Sequence, residues 1–239
     1  MQPTADLAHI IALTMGVAWA SGINLYAAVL MLGLLGATGH MVLPPGLETL
    51  MHPAVIAAAA FMYCVEFFAD KVPGVDTGWD TLHTFVRIPA GAVLAATAVG
   101  DVSMPAQVAA ALLGGTVAAG THLTKASTRV LINTSPEPVS NWAASLGEDL
   151  LVFAGLWTAL NYPIAFIVAF AVFVLLVVWL APKIWRGLAI VARKLGAMLG
   201  RSGSTPENPP EDPILAAVAS GTGPVPPASA RARLSDPDG

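Results

Sequence analysis

A chain of 239 residues that is 56% hydrophobic and only 11% charged falls well short of the roughly one-quarter charged residues of soluble domains, which excludes an ordinary water-soluble fold. Its 15 acidic and 11 basic residues leave a formal charge of −4 and no basic face for nucleic acid, and its one cysteine, Cys64, excludes an intramolecular disulfide. Long apolar runs lie at about 8–36, 53–69, 84–100, 106–124, 143–160 and 163–182. A span needs roughly 20 mostly apolar residues. The pattern therefore predicts an all-α, polytopic membrane helical bundle of about six transmembrane helices.

The first run is too long for one simple span. An unbroken helix over 7–35 would measure about 43 Å, against about 30 Å of hydrocarbon. It must tilt, kink or break, and Ser21-Gly22-Ile23-Asn24 is the place for a break, because Asn can satisfy freed backbone groups. A tilted continuous helix with small residues at a packing face is the alternative. Run two ends in Glu66-Phe67-Phe68-Ala69-Asp70-Lys71, and Val72-Pro73-Gly74-Val75-Asp76 makes a turn with Asp76 or Thr77 as N-cap. Run three starts with an amphipathic stretch, Trp79 to Arg87, with Pro89 as a kink point. Run four leaves the membrane through His122, Lys125 and Arg129; Asn133 to Pro138, with two prolines, is a connection. After run six, Lys183, Trp185, Arg186, Arg193 and Lys194 suggest an amphipathic extension at the inner surface. Residues 1–199 form the transmembrane domain with this basic end. Residues 200–239, rich in Pro and Gly, read as a disordered cytoplasmic tail.

All eleven Lys and Arg lie between runs two and three or in the first turn of run three (Lys71, Arg87), between four and five, or after run six. Cytoplasmic loops carry that bias, so with six spans both termini are expected in the cytoplasm. Runs one and four align at an offset of one hundred residues, Val17–Asn24 against Val117–Thr124. Three-span units would place these runs in opposite directions, a 3+3 inverted repeat with broken helices. Recurring small residues at tight packing faces would also produce the match.

Polar residues recur at helical spacing within the apolar runs. Asp80, His83 and Arg87 share one face of run three; His122, Lys125 and Arg129 repeat the spacing on run four; Asn141, Ser145 and Glu148 form a third stripe. With Glu66, Asp70 and Asp149 they could line a polar cavity open to the cytoplasm, with Ser21, Asn24, Thr121 and His122 as central polar groups. Charges within a membrane are costly and are paired or wet. Lys71, Lys125 and Arg129, near predicted helix ends, could instead snorkel to the surface. A hard cation could use Glu66, Glu148 and Asp149, but no zinc-type ligand pattern, phosphate loop or nucleophile elbow is present, so the metal is unknown and no cofactor or enzymatic activity is expected.

Several segments together resemble one family of bacterial membrane proteins. They are Ala20 to Asn24, Glu66 to Asp76, Trp79-Asp80, His83 to Phe85, and Ile132 to Pro138 with Ser140-Asn141-Trp142. The family is domain of unknown function 4126, and the resemblance covers roughly Leu7 to Arg186. It implies a multi-pass protein of the bacterial cytoplasmic membrane and transfers no activity. Glu66-x-x-x-Asp70-Lys71 is also similar to the acidic signature of small cation/proton exchangers, with different spacing and no second copy. The expectation is a small secondary transporter or ion carrier whose partners are the bilayer and a small ion or solute, self-association being compatible with it. The alternatives are a protein handling anionic lipid head groups or a structural assembly factor.

Overall fold

A computed structural model of the chain describes residues 3–134 and 138–201. The expected tail lies almost wholly outside them. Within them the fold is all-helical: α1 (Pro3–Ala37), a 3-10 turn (Pro45–Met51), α2 (Pro53–Ala69), α3 (Val75–Ala98), α4 (Met104–Ile132), α5 (Pro138–Asn161) and α6 (Pro163–Arg201). Prolines open α2 and stand within the first two residues of α4, where the helix has no use for the missing N–H. One compact unit covers Met1–Ala192; α6 continues unbroken through Pro182, and its last residues, from Arg193, belong to a second unit. The expected surface extension is thus a continuation of α6.

Three helical stretches are long and apolar enough to cross a membrane: Leu7–Ala37, Val139–Asn161 and Pro163–Ile190. The 3-10 turn with α2, bent by 69°, makes a fourth candidate. Helices α3 and α4 are less apolar, and their charges point inward. Asp76, Asp80, Arg87, Lys125 and Arg129 are buried, while Leu82, Phe85, Val93, Leu112, Leu113 and Leu123 are exposed. This is the reverse of a soluble bundle. Polar faces in contact and apolar faces outward suit a hydrocarbon solvent. Helix α6 is outward-facing along most of its length, and Trp19 holds it through edge-on contacts with Phe166 and Phe173 at 6.2 and 6.1 Å.

The break in α1 is real and falls at Asn24, whose backbone is extended (φ −146°, ψ 96°). Its consequence is a reversal of direction. Along the first half, α1a (residues 3–23), Leu13 sits with Pro44, Ala98 and Leu160, Gly16 against Ala159, and Gly22 against Ala118 and Thr121. Lys125 reaches the Ile23 carbonyl. Along the second half, α1b (residues 25–37), Tyr26 meets His83, but Gly33 meets Leu50 and Ile56, and Gly36 meets Met51. The chain therefore descends from the layer of the 3-10 turn and climbs back to it. Asn24 caps the returning helix, its Oδ1 accepting from Ala27 N at 2.9 Å.

Two expectations are corrected by this hairpin. Helices α1a and α4 advance in the same direction, Ala18 beside Gly114 and Gly22 beside Thr121, so runs one and four are not inverted copies. The break also removes the single crossing expected of run one, whose two ends share one layer. The start of α1 consequently lies at the end of the bundle opposite to Lys71, Arg129 and Gly187. Close approach of α1a, α3 and α4 is what glycine permits. A Cβ at Gly22 would collide with the Thr121 hydroxyl, and one at Gly91 would collide with the Ala118 side chain and meet Ser21 Oγ at 2.6 Å.

Candidate functional site

The end of α2 carries Glu66 and Asp70; the first half of α3, Asp80 and Arg87; the second half of α4, His122, Lys125 and Arg129; α5 brings Glu148. These meet in one buried ion network beside the break in α1. Arg87 binds Glu66 Oε1 at 2.6 Å through Nη2 and Asp80 Oδ1 at 3.0 Å through Nη1. Lys125 is the hub. Its Nζ lies 2.9 Å from Asp70, 3.3 Å from Glu148, 3.5 Å from Glu66 and 3.7 Å from Asp80, and donates to the Ile23 carbonyl at 3.2 Å. Arg129 grips Glu148 with two bonds, Nε to Oε1 at 3.2 Å and Nη2 to Oε2 at 2.7 Å. Its Nη1 donates to the backbone carbonyls of Asp70 and Asn141, tying α4 to α2 and α5.

Helix α1 contributes backbone geometry rather than charge. At the break the Ile23 carbonyl at the end of α1a accepts from Lys125, and the Ala27 N–H at the start of α1b donates to Asn24 Oδ1. The negative end of a helix dipole is thus turned to the Lys125 ammonium. Asn24 Nδ2 donates to Asp149 Oδ1 at 3.0 Å beside the positive end of α1b.

Proton positions around His122 follow from the partners. Arg87 has only donors, so its 3.2 Å contact makes His122 Nδ1 an acceptor; the ring is neutral with hydrogen on Nε2. That hydrogen goes to Thr84 Oγ1 at 2.8 Å, and the Thr84 hydroxyl donates to the Asp80 carbonyl at 3.0 Å. His83 obeys the same logic. Its Nδ1–H donates to the Trp79 carbonyl at 2.9 Å, leaving Nε2 to accept from Tyr26 at 3.0 Å.

The predicted residues therefore divide. Glu66, Asp70, Asp80, Arg87, His122, Lys125, Arg129 and Glu148 converge. Asn24 and Asp149 adjoin them. Ser21 and Thr121 bond carbonyls of their own helices and serve close packing, contrary to their expected central role. Asn141 joins Asn133, which binds both oxygens of Asp76 at 2.8 and 2.9 Å and clasps the two turns together. Ser145 accepts from Lys71 at 3.2 Å. Lys71, Lys125 and Arg129 are 6%, 5% and 0% exposed, so none snorkels to the surface. The cations and carboxylates occupy the space an open cavity would need: the site is closed, with Glu148 its most exposed side chain at 17%. Among the described residues no group of His, Cys, Asp and Glu has the geometry to hold a metal ion. Tyr26 escaped the sequence reading, and Thr84 and Asn133 entered it only within the segments of family resemblance, since a lone hydroxyl or amide carries no spacing signal.

A family model described as domain of unknown function (DUF4126) matches residues 11–183, which contain the break in α1 and every member of the network. The chain belongs to the DUF4126 family. No curated protein and no solved structure matches it. The DUF4126 match ends at residue 183, so the basic end of α6 and everything after it lie outside the shared region.

Proposed function

We propose that this DUF4126 chain is a small secondary carrier with its ion-coupling site in the buried network, seen in a closed state. One observation carries the reading: a helix broken at mid-course delivers its carbonyl end, through Ile23, to a desolvated cluster of charges. Asp149, joined to Asn24, lies about 18 Å from the far end of α5 by helix rise, close to half a bilayer. Discontinuous helices whose ends meet ions near the midplane are the architecture of many secondary transporters. In this reading the Lys71 and Arg129 end faces the cytoplasm of a bacterial inner membrane, as the shared side of the Lys- and Arg-bearing loops supports, and the start of α1 faces outward. The bound species exchanges with Lys125 and Arg87 for the carboxylates, and its release needs the closed site to open.

Head-group binding is less well served. Arg87, Lys125 and Arg129 are each committed to carboxylates and are buried, leaving no cation among them to grip phosphate.

Purified protein in proteoliposomes, given imposed proton, sodium or potassium gradients and a broad solute panel, tests the carrier. Gradient-driven flux that Glu66→Gln abolishes is expected. Absence of coupled flux across the whole panel refutes it.

A further inference from the structure

We infer that the coupling ion is a proton and that Asp80 holds it, the network being protonated once in its resting state. This rests on the carrier reading for what the proton does, but not for where it sits. The linked groups comprise four carboxylates, Glu66, Asp70, Asp80 and Glu148, and three cations, Arg87, Lys125 and Arg129. One negative charge is left over. Adding Asp149 and Lys71 beside the network leaves that excess unchanged. An uncompensated charge in a desolvated site is costly, and carboxylates forced together hold a shared proton instead.

Unsatisfied atoms point to the same deficit. Glu66 Oε2, Asp70 Oδ1 and Asp80 Oδ2 are buried without a hydrogen-bond partner, on side chains at most 5% exposed. Each of these carboxylates uses one oxygen for the cations and leaves the other bare. A metal cation in that space would sit against Lys125 and Arg87, which already touch the same carboxylates. A proton occupies almost no room and removes the surplus negative charge.

Asp80 is the member with the weakest compensation. Glu66 has Arg87 at 2.6 Å, Asp70 has Lys125 at 2.9 Å, and Glu148 has both arms of Arg129. Asp80 has only one bond at 3.0 Å and a distant ammonium at 3.7 Å, at 1% exposure. The groups bearing on it are Arg87 on its own helix, Glu66 and Asp70 from α2, and His122, Lys125 and Arg129 from α4. Glu148 of α5 acts through Lys125, and α1 adds the Ile23 carbonyl and the neutral Tyr26. His122 cannot take the proton while Arg87 donates to its Nδ1. Protonation is simple addition: Asp80 carboxylate and one proton give a carboxylic acid, and loss of that proton restores the negative charge that draws Arg87 and Lys125 inward.

Infrared spectroscopy of the full chain in lipid at neutral pH reads this directly. A protonated-carboxyl C=O band is expected, shifted when aspartate is labelled with 13C at the carboxyl carbon, unmoved by the same label in glutamate, and lost in Asp80→Asn. Should Asp80→Asn fail to fold, the band must persist in both Asp70→Asn and Asp149→Asn. Absence of the band, insensitivity to the aspartate label, or its survival in Asp80→Asn overturns the assignment. A band meeting all these conditions in a protein without proton-coupled flux leaves the protonation standing and removes only the carrier.

Discussion

Replacing Lys125 by methionine is the sharpest test of the network, because one ammonium there touches four carboxylates. Its Nζ lies between 2.9 and 3.7 Å from Asp70, Glu148, Glu66 and Asp80. Methionine has nearly the same length and fills the same space, so packing is preserved and charge alone is lost. Removing one partner of a buried pair costs about 3–5 kcal/mol. A typical domain has about 5–15 kcal/mol of stability in total, so the loss is a large share of it. Thermal unfolding in detergent, followed by tryptophan fluorescence and by the monodisperse fraction on gel filtration, should show this as a steep fall. Adding Asp70→Asn to Lys125→Met should then recover part of it, since contacting residues couple by about 0.5–3 kcal/mol. If Lys125→Met unfolds within about 0.5 kcal/mol of the natural protein, the scale of an ordinary surface substitution, the carboxylates are hydrated and the closed network does not exist.

Further outcomes follow from single contacts. Gly22→Ala should push α1a from α4, because its Cβ meets the Thr121 side chain and the Ala118 carbonyl; a loss of about 1–3 kcal/mol is expected in the same melt. Arg129→Lys should cost at least about 2 kcal/mol, since an ammonium cannot reproduce the forked grip on Glu148 together with the bonds to Asp70 and Asn141. Asn24→Ala removes the cap of α1b and the partner of Asp149, lowering stability by about 0.5–2 kcal/mol from the cap alone. Membrane-impermeant labelling of cysteines placed ahead of α1 and after α6 should mark opposite faces of the membrane; labelling from one face would refute the hairpin.

Much of the site was legible because helical spacing is a strong signal in an apolar background. The stripes Asp80-His83-Arg87 and His122-Lys125-Arg129 delivered five of their six members to the network or its edge, and only His83 turned aside to Tyr26. The break was legible in Ser21-Gly22-Ile23-Asn24. Its reversal was not, for a physical reason: no Lys or Arg precedes Lys71, so the charge bias says nothing about how often the first run crosses. Closure of the site also escaped the reading. Sequence gives the number of carboxylates and cations, while whether they enclose water depends on distances between helices. Those distances are set by Gly22, Gly91 and Gly114 drawing α1a, α3 and α4 together.

The hairpin in α1 bears on how the chain enters the bilayer. At about 1.5 Å per residue, residues 25–37 reach only about 20 Å, too short to hold their own place across about 30 Å of hydrocarbon. Helices α3 and α4 each carry charges costing about 2.5–3.5 kcal/mol apiece at the bilayer centre when they arrive alone. None of these three segments is a good solo passenger. Their integration is favourable only together, once opposite charges have met.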